Sequence, residues 1–315
     1  MNRTILLHAC VVLALLALNW LLPAYHHGLF ARIMVMAVFA SGFALLFGYG
    51  GLLSLGHAMF FSLGLYAAGL SVDLWNWPTP LAFLFGILAG ASGALLVGLL
   101  ALRTTGTAFM IVTLMFAQVF FLAMLYWAEI TRGEDGFTVN RAARSFTLGP
   151  FAFDPADPTT RYLAAWALFS IALFSVLALV RSRWGRVLVA VRENEERTGM
   201  LGYDTWALKL QAVVISGALA ATAGAAYALL FGYVGASFAS VQYSILPLLW
   251  SLLGGAATVL GPFLGTLLMH YAIDYAGTIT QATLGVIGLL LVLLVLFFPK
   301  GILGTLRDRA LRWLP

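Results

Sequence analysis

Residues 162–180 read YLAAWALFSIALFSVLALV, and residues 181–202, which follow directly, read RSRWGRVLVAVRENEERTGMLG. The first stretch has no charged residue and is about as long as the ~20 residues that a helix needs to cross a bilayer. The second begins a segment with ten charged residues between Arg181 and Lys209, in a chain in which only 9% of residues are charged. Because lipid contacts gain nothing from such charges, the pattern predicts a membrane-spanning helix that leads into an aqueous docking surface for a soluble partner.

The composition of the whole chain supports this interpretation. Of its 315 residues, 62% are hydrophobic, and the mean hydropathy is +0.98, whereas apolar residues make up about half of a soluble domain. The net charge of +5 comes from basic residues beside apolar runs, which is typical of membrane topology and predicts no nucleic-acid partner. The single cysteine, Cys10, lies in an apolar run, so we expect a small core residue rather than a disulfide or a metal ligand.

Long apolar runs without alternation predict an all-α membrane protein of about ten transmembrane helices, some of them discontinuous, rather than a β-barrel. We treat residues 1–315 as one transmembrane domain. The predicted spans are Ile5–Leu22, Leu29–Phe47, His57–Val72, Leu81–Leu102, Thr107–Trp127, Tyr162–Val180, Leu208–Phe231, Ser244–Leu253, Gly261–Ala276 and Ala282–Phe298. The eighth span is too short to cross a bilayer alone.

The distribution of lysine and arginine predicts the orientation. Residues 181–209 contain six and the tail 300–315 contains four, whereas residues 129–161 contain four together with five acids. The positive-inside rule therefore places the 181–209 loop and the 300–315 tail in the cytoplasm and the 129–161 loop outside. With ten spans, both termini are cytoplasmic.

Two glycine-rich segments without charges interrupt the apolar runs, at residues 48–57 and 254–262. Such breaks indicate discontinuous helices that line a cavity or are buried in protein, and matched breaks in two halves indicate a translocation site. Hydroxyl, amide and aromatic side chains suit a path for a small hydrophobic or zwitterionic solute, although each of them is also typical of an ordinary helix-packing hydrogen bond. The candidate residues of the translocation path and its breaks are Tyr49, Gly50, Gly51, Ser54, His57, Gln118, Tyr233, Gln242, Gly254 and Gly255.

The sequence contains no convincing catalytic centre, so we expect no catalytic residue, metal or cofactor in this chain. It has no phosphate-binding loop of the Walker A type, and its only lysines are Lys209 and Lys300. His57 lies near Ser54, but no acid accompanies them, and we expect His57 to bond a hydroxyl or an exposed carbonyl instead. Few ionisable residues fall within the spans, which disfavours an ion-coupled secondary transporter but leaves that alternative open.

Residues 48–61, GYGGLLSLGHAMFF, resemble the signature of the permease subunits of branched-chain (hydrophobic) amino-acid ABC transporters. Four further blocks are similar to that family in kind and order, so the resemblance covers nearly the whole chain. They are residues 102–114, residues 183–196 with Gly202, residues 209–225 and residues 298–304. The chain departs from the family at residues 198–201 and at residues 131–136, which affects the details of docking and the choice of binding protein or substrate.

The resemblance implies an importer of the bacterial inner membrane that moves a branched-chain or hydrophobic amino acid, or a similar small solute. The same family includes importers of urea, short amides and aromatic acids, so the substrate stays open. The implied partners are a second homologous permease, two ATPase subunits that bind the ATP, an extracytoplasmic substrate-binding protein and the lipid bilayer.

The resemblance also assigns roles to the two polar loops. Residues of the 181–209 loop would couple the chain to the ATPases, and residues of the 129–161 loop would seat the binding protein unless that loop is a mere connector. The coupling candidates are Arg192, Glu193, Asn194, Glu195, Glu196 and Gly202. The binding-protein candidates are Arg132, Glu134, Asp135 and Arg141.

Overall fold

The computed structural model describes residues 2–148, 151–279 and 300–309, together with isolated positions between 285 and 298. The described chain is almost entirely helical. Its helices are α1 (Asn2–Leu21), α2 (Ala24–Ala44), α3 (His57–Trp75), α4 (Thr79–Ala101), α5 (Thr107–Tyr126), α6 (Ala128–Thr131), α7 (Arg141–Arg144), α8 (Pro158–Arg181), α9 (Arg183–Glu193), α10 (Glu195–Met200), α11 (Thr205–Phe231), α12 (Val241–Gly254), α13 (Gly261–Ile279) and α14 (Gly301–Arg309). Its short strands are β1 (Phe137–Thr138), β2 (Phe146–Leu148), β3 (Phe151–Phe153) and β4 (Tyr233–Val234).

Within the described part of the chain, seven helices are long and apolar enough to cross a membrane. They are Arg3–Leu21, Tyr25–Tyr49, His57–Trp75, Thr79–Ala101, Thr107–Tyr126, Pro158–Arg181 and Thr205–Phe231. They correspond to the first seven predicted spans, and the chain is an all-α, multi-pass membrane protein.

The remaining predicted spans differ from these seven. Helix α12 has only 14 residues, which agrees with the expectation that the eighth run cannot cross alone. Helix α13 has 19 residues, among them His270 and Asp274, and is not one of the seven. The predicted span Ala282–Phe298 lies outside the continuously described residues.

The centre of the bundle is formed by α11 packed against α3, α4 and α2. Glycines permit this packing, because a Cβ built on Gly64 would lie 2.2 Å from the carbonyl oxygen of Ala221. A Cβ on Gly224 would likewise lie 1.9 Å from the carbonyl oxygen of Phe61. Close approach of helix backbones through small residues is the usual packing mode in membranes, where burial of apolar surface supplies little driving force.

Cys10 corrects one sequence-based expectation. It is exposed on the surface of α1 rather than buried in the core. An apolar run predicts burial in a soluble protein, but the outer surface of a membrane bundle is itself apolar, so the run alone does not distinguish core from lipid-facing positions.

The two polar regions lie at opposite ends of the bundle. Helix α8, 24 residues and therefore about 36 Å long, connects them. Residues 127–157, here called the lobe, precede it and contain α6, α7, the β2–β3 hairpin and strand β1, which pairs with β4. The charged segment α9–α10 follows it. The 129–161 loop is thus not an unstructured connector, and its last residues already belong to α8.

Candidate functional site

The first break begins where α2 ends at Ala44 and the chain forms a π turn over Leu45–Tyr49. Gly51 then takes a positive φ of 70°, a left-handed conformation that glycine adopts without steric cost. The chain resumes helical structure at His57. The chain is thus non-helical between Gly51 and His57, but this break follows a span of 25 residues that is already long enough to cross the membrane. It lies at the end of a crossing and not in the middle of one.

The second break separates α12 from α13. Helix α12 ends at Gly254, and Gly255 has a φ of 115°, which again favours glycine. The hydroxyl of Thr258 donates to the carbonyl of Gly255 at 2.8 Å and closes the turn. Because α12 is only 14 residues long, this is a true discontinuity within the bundle.

The two breaks contact each other through their backbones. A Cβ built on Gly48 would lie 1.9 Å from the carbonyl oxygen of Ala256 and 3.1 Å from the amide nitrogen of Ala257. We call this contact, formed by residues 48–51 and 255–257, the joint. The sequence indicated both breaks, but it gave no sign that two segments about 200 residues apart meet.

Two arginines donate to backbone carbonyls of the joint. A guanidinium nitrogen of Arg192, on α9, donates to the carbonyl of Gly48. A guanidinium nitrogen of Arg307, on α14, donates to the carbonyl of Ala257 at 2.8 Å. Each break thus receives one charge-assisted hydrogen bond from a helix outside the bundle core, and such bonds are stronger than neutral ones.

Tyr49 is buried beside the joint, with 5% of its surface exposed. Among the described residues, no hydrogen-bond partner lies within reach of its hydroxyl. A buried hydroxyl without a partner is costly, so the conformation described here leaves one polar group of the joint unsatisfied.

His57 and Ser54 form a hydrogen-bonded packing cluster in this conformation. The Nε2 atom of His57 lies 2.7 Å from the hydroxyl of Ser216, and Nδ1 lies 3.3 Å from the carbonyl oxygen of Ser54. The hydroxyl of Ser216 also lies 2.7 Å from the carbonyl oxygen of Gly42. Of the two partners expected for His57, a hydroxyl or an exposed carbonyl, the hydroxyl of Ser216 is the nearer. The cluster ties the start of α3 to α11 and α2.

The other candidate path residues are not gathered at the joint. Gln118 is half-buried on α5, and Gln242 is exposed at the start of α12. Tyr233 belongs to β4, and its hydroxyl donates to the carbonyl of Asp135 in the lobe at 3.4 Å. These residues stay predictions for the path, but they do not share one site with Tyr49 and Ser54.

Helix α9 is amphipathic and lies against the joint. It buries Leu188 and Val191, and a Cβ built on Gly50 would lie 3.7 Å from the side chain of Leu188. On the same side, a Cβ on Gly51 would lie 2.5 Å from Cγ of Arg192. The apolar face of the charged segment thus covers the first break, and its polar face is turned away from the bundle.

The predicted coupling residues fall into two groups. Four of them, Arg192, Glu193, Asn194 and Glu195, are engaged within the chain. Arg192 also contacts Glu193, the side chain of Asn194 accepts the amide of Arg197 at 2.9 Å, and Glu195 pairs with Lys209 at 2.5 Å. Glu196 and Gly202 are exposed, and Gly202 has a φ of 89°.

The sequence analysis did not include the exposed apolar residues that adjoin the coupling candidates. Met200 and Leu201 are 85% and 77% exposed, and Trp206 is exposed as well. The signal available in the sequence is the presence of these apolar residues among charged ones. Apolar side chains that are exposed at an aqueous surface mark interaction sites.

The predicted binding-protein residues all lie in the lobe. Arg132, Glu134 and Asp135 are exposed around a tight turn in which Arg132 has a φ of 61°. The Nε and Nη2 atoms of Arg141 donate to the two carboxylate oxygens of Asp154, at 3.3 and 2.5 Å. The guanidinium of Arg141 lowers the pKa of the Asp154 carboxyl, and the carboxylate raises the pKa of Arg141.

Arg144 is the residue of the lobe that the sequence did not single out. It is 9% exposed and donates to the carbonyls of Val139 at 3.1 Å and Leu229 at 2.9 Å. The hydroxyl of Thr79 donates to the backbone carbonyl of Arg144 at 2.9 Å. Burial lowers the pKa of this guanidinium from its usual value. Arg144 thereby joins the lobe to the ends of α11 and α4.

Seven apolar spans, a charged segment at one end of the bundle and a small folded lobe at the other define a multi-pass membrane protein. The model of the family described as "Branched-chain amino acid transport system / permease component" matches residues 26–297. The chain belongs to that family, and so to the permeases of branched-chain amino-acid ABC transporters.

Several curated proteins are similar to it. The high-affinity branched-chain amino acid transport system permease protein LivM of Escherichia coli (strain K12) is 29% identical over 299 residues, covering 88% of this chain and 69% of LivM. A probable LivM of Methanocaldococcus jannaschii is 29% identical over 160 residues, covering 45% of this chain and 46% of that protein. LivH of Salmonella typhimurium, also a permease protein of such a system, is 22% identical over 281 residues, covering 85% of this chain and 91% of LivH. No solved structure matches the chain significantly.

Proposed function

We propose that this chain is the membrane-spanning permease subunit of a binding-protein-dependent ABC importer in a bacterial inner membrane. The observation that carries the proposal is the family match over residues 26–297 in a chain whose charged segment α9–α10 extends from one end of the bundle. The importer moves a branched-chain or hydrophobic amino acid, or a similar small solute. ATP is bound and hydrolysed by separate subunits, and this chain needs no cofactor of its own.

The charged segment α9–α10 docks an ATPase subunit. Its exposed residues include the acidic side chain of Glu196 and the apolar side chain of Met200, and the exposed apolar side chains of Leu201 and Trp206 follow directly, Trp206 at the start of α11. Apolar and aromatic anchors surrounded by polar groups are the usual composition of a protein interface. The end of the bundle that carries α9 and α14 is therefore cytoplasmic, and the lobe faces the binding protein.

A second, homologous permease completes the membrane domain. Both LivM and LivH proteins are similar to this chain, and both are named as permease proteins of a high-affinity branched-chain amino acid transport system. The greater identity to LivM supports a LivM-like role for this chain beside a LivH-like partner.

Reconstitution of the complete transporter tests the proposal. The chain, a second permease, two ATPase subunits and a binding protein from the same organism are to be co-expressed, purified together and placed in liposomes. We expect uptake of radiolabelled leucine that requires both ATP and the binding protein. Gradient-driven uptake by this chain alone would instead identify an ion-coupled secondary transporter and contradict the proposal.

Ligand screening of the binding protein tests the substrate separately. Branched-chain amino acids, urea, short amides and aromatic acids are to be compared by calorimetry. We expect the branched-chain amino acids to bind most tightly. Preference for urea, an amide or an aromatic acid would retain the importer and change its substrate.

Charge reversal tests the docking surface. We expect Glu196→Lys to reduce co-purification of the ATPases, because the side chain is exposed on α10 and a partner interface would meet a charge of the wrong sign. Glu134→Lys, the same reversal in the lobe at the other end of the bundle, is the matched control and should leave the ATPases bound. Equal co-purification in both variants would place ATPase docking elsewhere.

A further inference from the structure

The joint has two attachments outside the bundle, and they differ in kind. Helix α14 is attached through backbone, since a Cβ built on Gly301 would lie 2.5 Å from Cα of Gly255, and one on Gly255 would lie 2.9 Å from the amide nitrogen of Gly304. The last turns of helix α9 are attached through side chains, by Leu188 against Gly50 and by Arg192 to the carbonyl of Gly48. The backbone attachment is rigid, whereas the side-chain attachment changes when α9 moves.

Arg192 contacts the first break at two points, Gly51 and Gly48, and so fixes how helix α9 lies against it. Its aliphatic part lies against Gly51, where any side chain would collide with it, and its head group reaches past Gly51 to the carbonyl of Gly48. Glu193 binds the same guanidinium at 3.1 and 2.5 Å, which fixes its orientation. The positive φ of Gly51 thus creates the groove that the arginine occupies.

The joint connects four helices. Residues 48–51 link α2 to α3, and residues 255–257 link α12 to α13. Because the two breaks touch backbone to backbone, a displacement of Gly48 is resisted by Ala256 and is passed to the second pair of helices. A force applied to one carbonyl therefore acts on both halves of the bundle.

We propose that Arg192 is a positioning residue for energy coupling: through its bond to the carbonyl of Gly48, it transmits movement of the charged segment α9–α10 to the joint. Arg307 holds the other half of the joint through the carbonyl of Ala257. The inference rests on the proposed function, because it takes α9–α10 as the segment that the ATPases move. The proposal gives Arg192 a role that differs from direct contact with an ATPase, although the sequence places it in the same loop as the docking residues.

Chemical labelling tests the attachment without any transport activity. Cys10 is the only cysteine of the sequence, so Cys10→Ser gives a background in which Ser54→Cys is a unique probe. Ser54 lies between the joint and α3 and is 1% exposed, so the probe should react slowly with a maleimide. Loss of a hydrogen bond to a charged group should raise the population of the open joint, and with it the labelling rate of the Arg192→Ala variant, by about tenfold or more.

Two further variants make the labelling result specific. Arg192→Lys retains one donor and should give an intermediate rate. Arg186→Ala removes an arginine from the opposite end of α9, where its guanidinium lies near the carbonyl of Arg181, and should label as slowly as the background. An unchanged rate for Arg192→Ala, or an equal increase for Arg186→Ala, would overturn the proposal.

The reconstituted transporter tests the consequence for coupling. With Arg192→Ala, the ATPases should remain bound and hydrolyse ATP, while the number of substrates moved per ATP falls about tenfold or more, as expected for loss of a charged hydrogen bond. Normal uptake, or loss of the ATPases from the purified complex, would contradict a positioning role. If the unmodified complex shows no ATP-dependent uptake, the proposed function fails, but the labelling experiment still decides whether Arg192 closes the joint.

Discussion

At both ends of the bundle an arginine donates to backbone carbonyls, but the two arginines differ in how far they are buried. At the lobe end, Arg144 donates to the carbonyls of Val139 and Leu229. At the opposite end, Arg192 donates to the carbonyl of Gly48. Arg144 is 9% exposed, whereas the side chain of Arg192 is 31% exposed and belongs to a helix whose polar face meets solvent.

This difference indicates which end is built to move. Around Arg144, the carbonyl of the arginine itself is held by Thr79, and Gly232, with a φ of 76°, lies directly against the guanidinium. Both the guanidinium and the carbonyl of Arg144 thus contact neighbours within the bundle or the lobe. Arg192 instead connects the bundle to the charged segment α9–α10, whose outer surface is exposed. We expect that a partner bound to this segment could change the Arg192 bond and leave the surrounding helices folded.

The largest effect is expected for Gly48→Ala. A new Cβ would lie 1.9 Å from the carbonyl oxygen of Ala256, and both elements are backbone, so neither can move aside cheaply. Overpacking of this kind costs about 3 kcal/mol or more. We expect a large fall in the melting temperature of the purified protein. Gly199→Ala is the control, because nothing lies within 4 Å of its Cβ position, and a similar fall there would show that the contact at Gly48 is not the cause.

The next effect is expected for Arg144→Ala at the lobe end. The substitution leaves the carbonyls of Val139 and Leu229 without their donor, and hydrogen bonds to a charged group contribute about 1.5–3 kcal/mol each, not additively. We expect a loss of about 2–3 kcal/mol in the free energy of unfolding, measured by denaturation in detergent.

Arg141→Ala is the matched control for this prediction. Arg141 lies on the same short helix α7, but it is exposed and bound to the partly exposed carboxylate of Asp154, so its loss should be much smaller. If the two variants are equally stable, the lobe is not held by Arg144, and the contrast between a rigid and a movable end fails.

A smaller effect is expected for Gly51→Ala at the joint. A left-handed conformation costs a non-glycine residue roughly 1–2 kcal/mol, and the new Cβ also displaces Arg192. The clash is with a flexible side chain, so the effect on stability should stay below that of Gly48→Ala. The displacement should show as lost coupling between ATP hydrolysis and uptake.

A double-mutant cycle separates the two parts of this effect. In the Arg192→Ala background only the conformational cost should remain, and Gly51→Asn should be milder than alanine because asparagine tolerates a positive φ. Equal costs of Gly51→Ala in both backgrounds would indicate that Arg192 and Gly51 do not interact.

Much of this arrangement was predictable from the sequence. Uncharged runs of about 20 residues identified the spans, and Gly-Gly pairs identified both breaks, because each signal is local. The contact between Gly48 and Ala256 depends on how distant helices pack, and no local pattern encodes it. The sequence also does not show whether an arginine side chain contacts a partner protein or a backbone carbonyl of its own chain. For that reason the sequence predicts Arg192 only as one of several ATPase-coupling residues, and it does not single out Arg144.

The smallest effect is expected at the start of α8, where the lobe meets the bundle. The carboxylate of Asp157 accepts the amide and the hydroxyl of Thr160, both at 2.8 Å, and so caps the helix. These bonds lower the pKa of Asp157 below its usual value of 3.8. Loss of the cap in Asp157→Ala should cost about 1 kcal/mol.

The pH dependence follows from the lowered pKa. The charged form is favoured in the folded protein, so this contribution is fully present above the unfolded-state pKa near 3.8 and is lost as the pH falls through the lower folded-state value. Asp157→Asn retains an acceptor for the cap and should be nearly as stable as the unmodified protein at neutral pH, without this acid dependence. Melting temperatures of the three proteins between about pH 2 and pH 7 check this. If the Asp157→Asn variant is as acid-sensitive as the unmodified protein, the titration belongs to another carboxyl of the lobe. Because the cap lies at the rigid end, none of these variants should alter the reactivity of a cysteine at position 54, whereas any substitution that loosens the joint should.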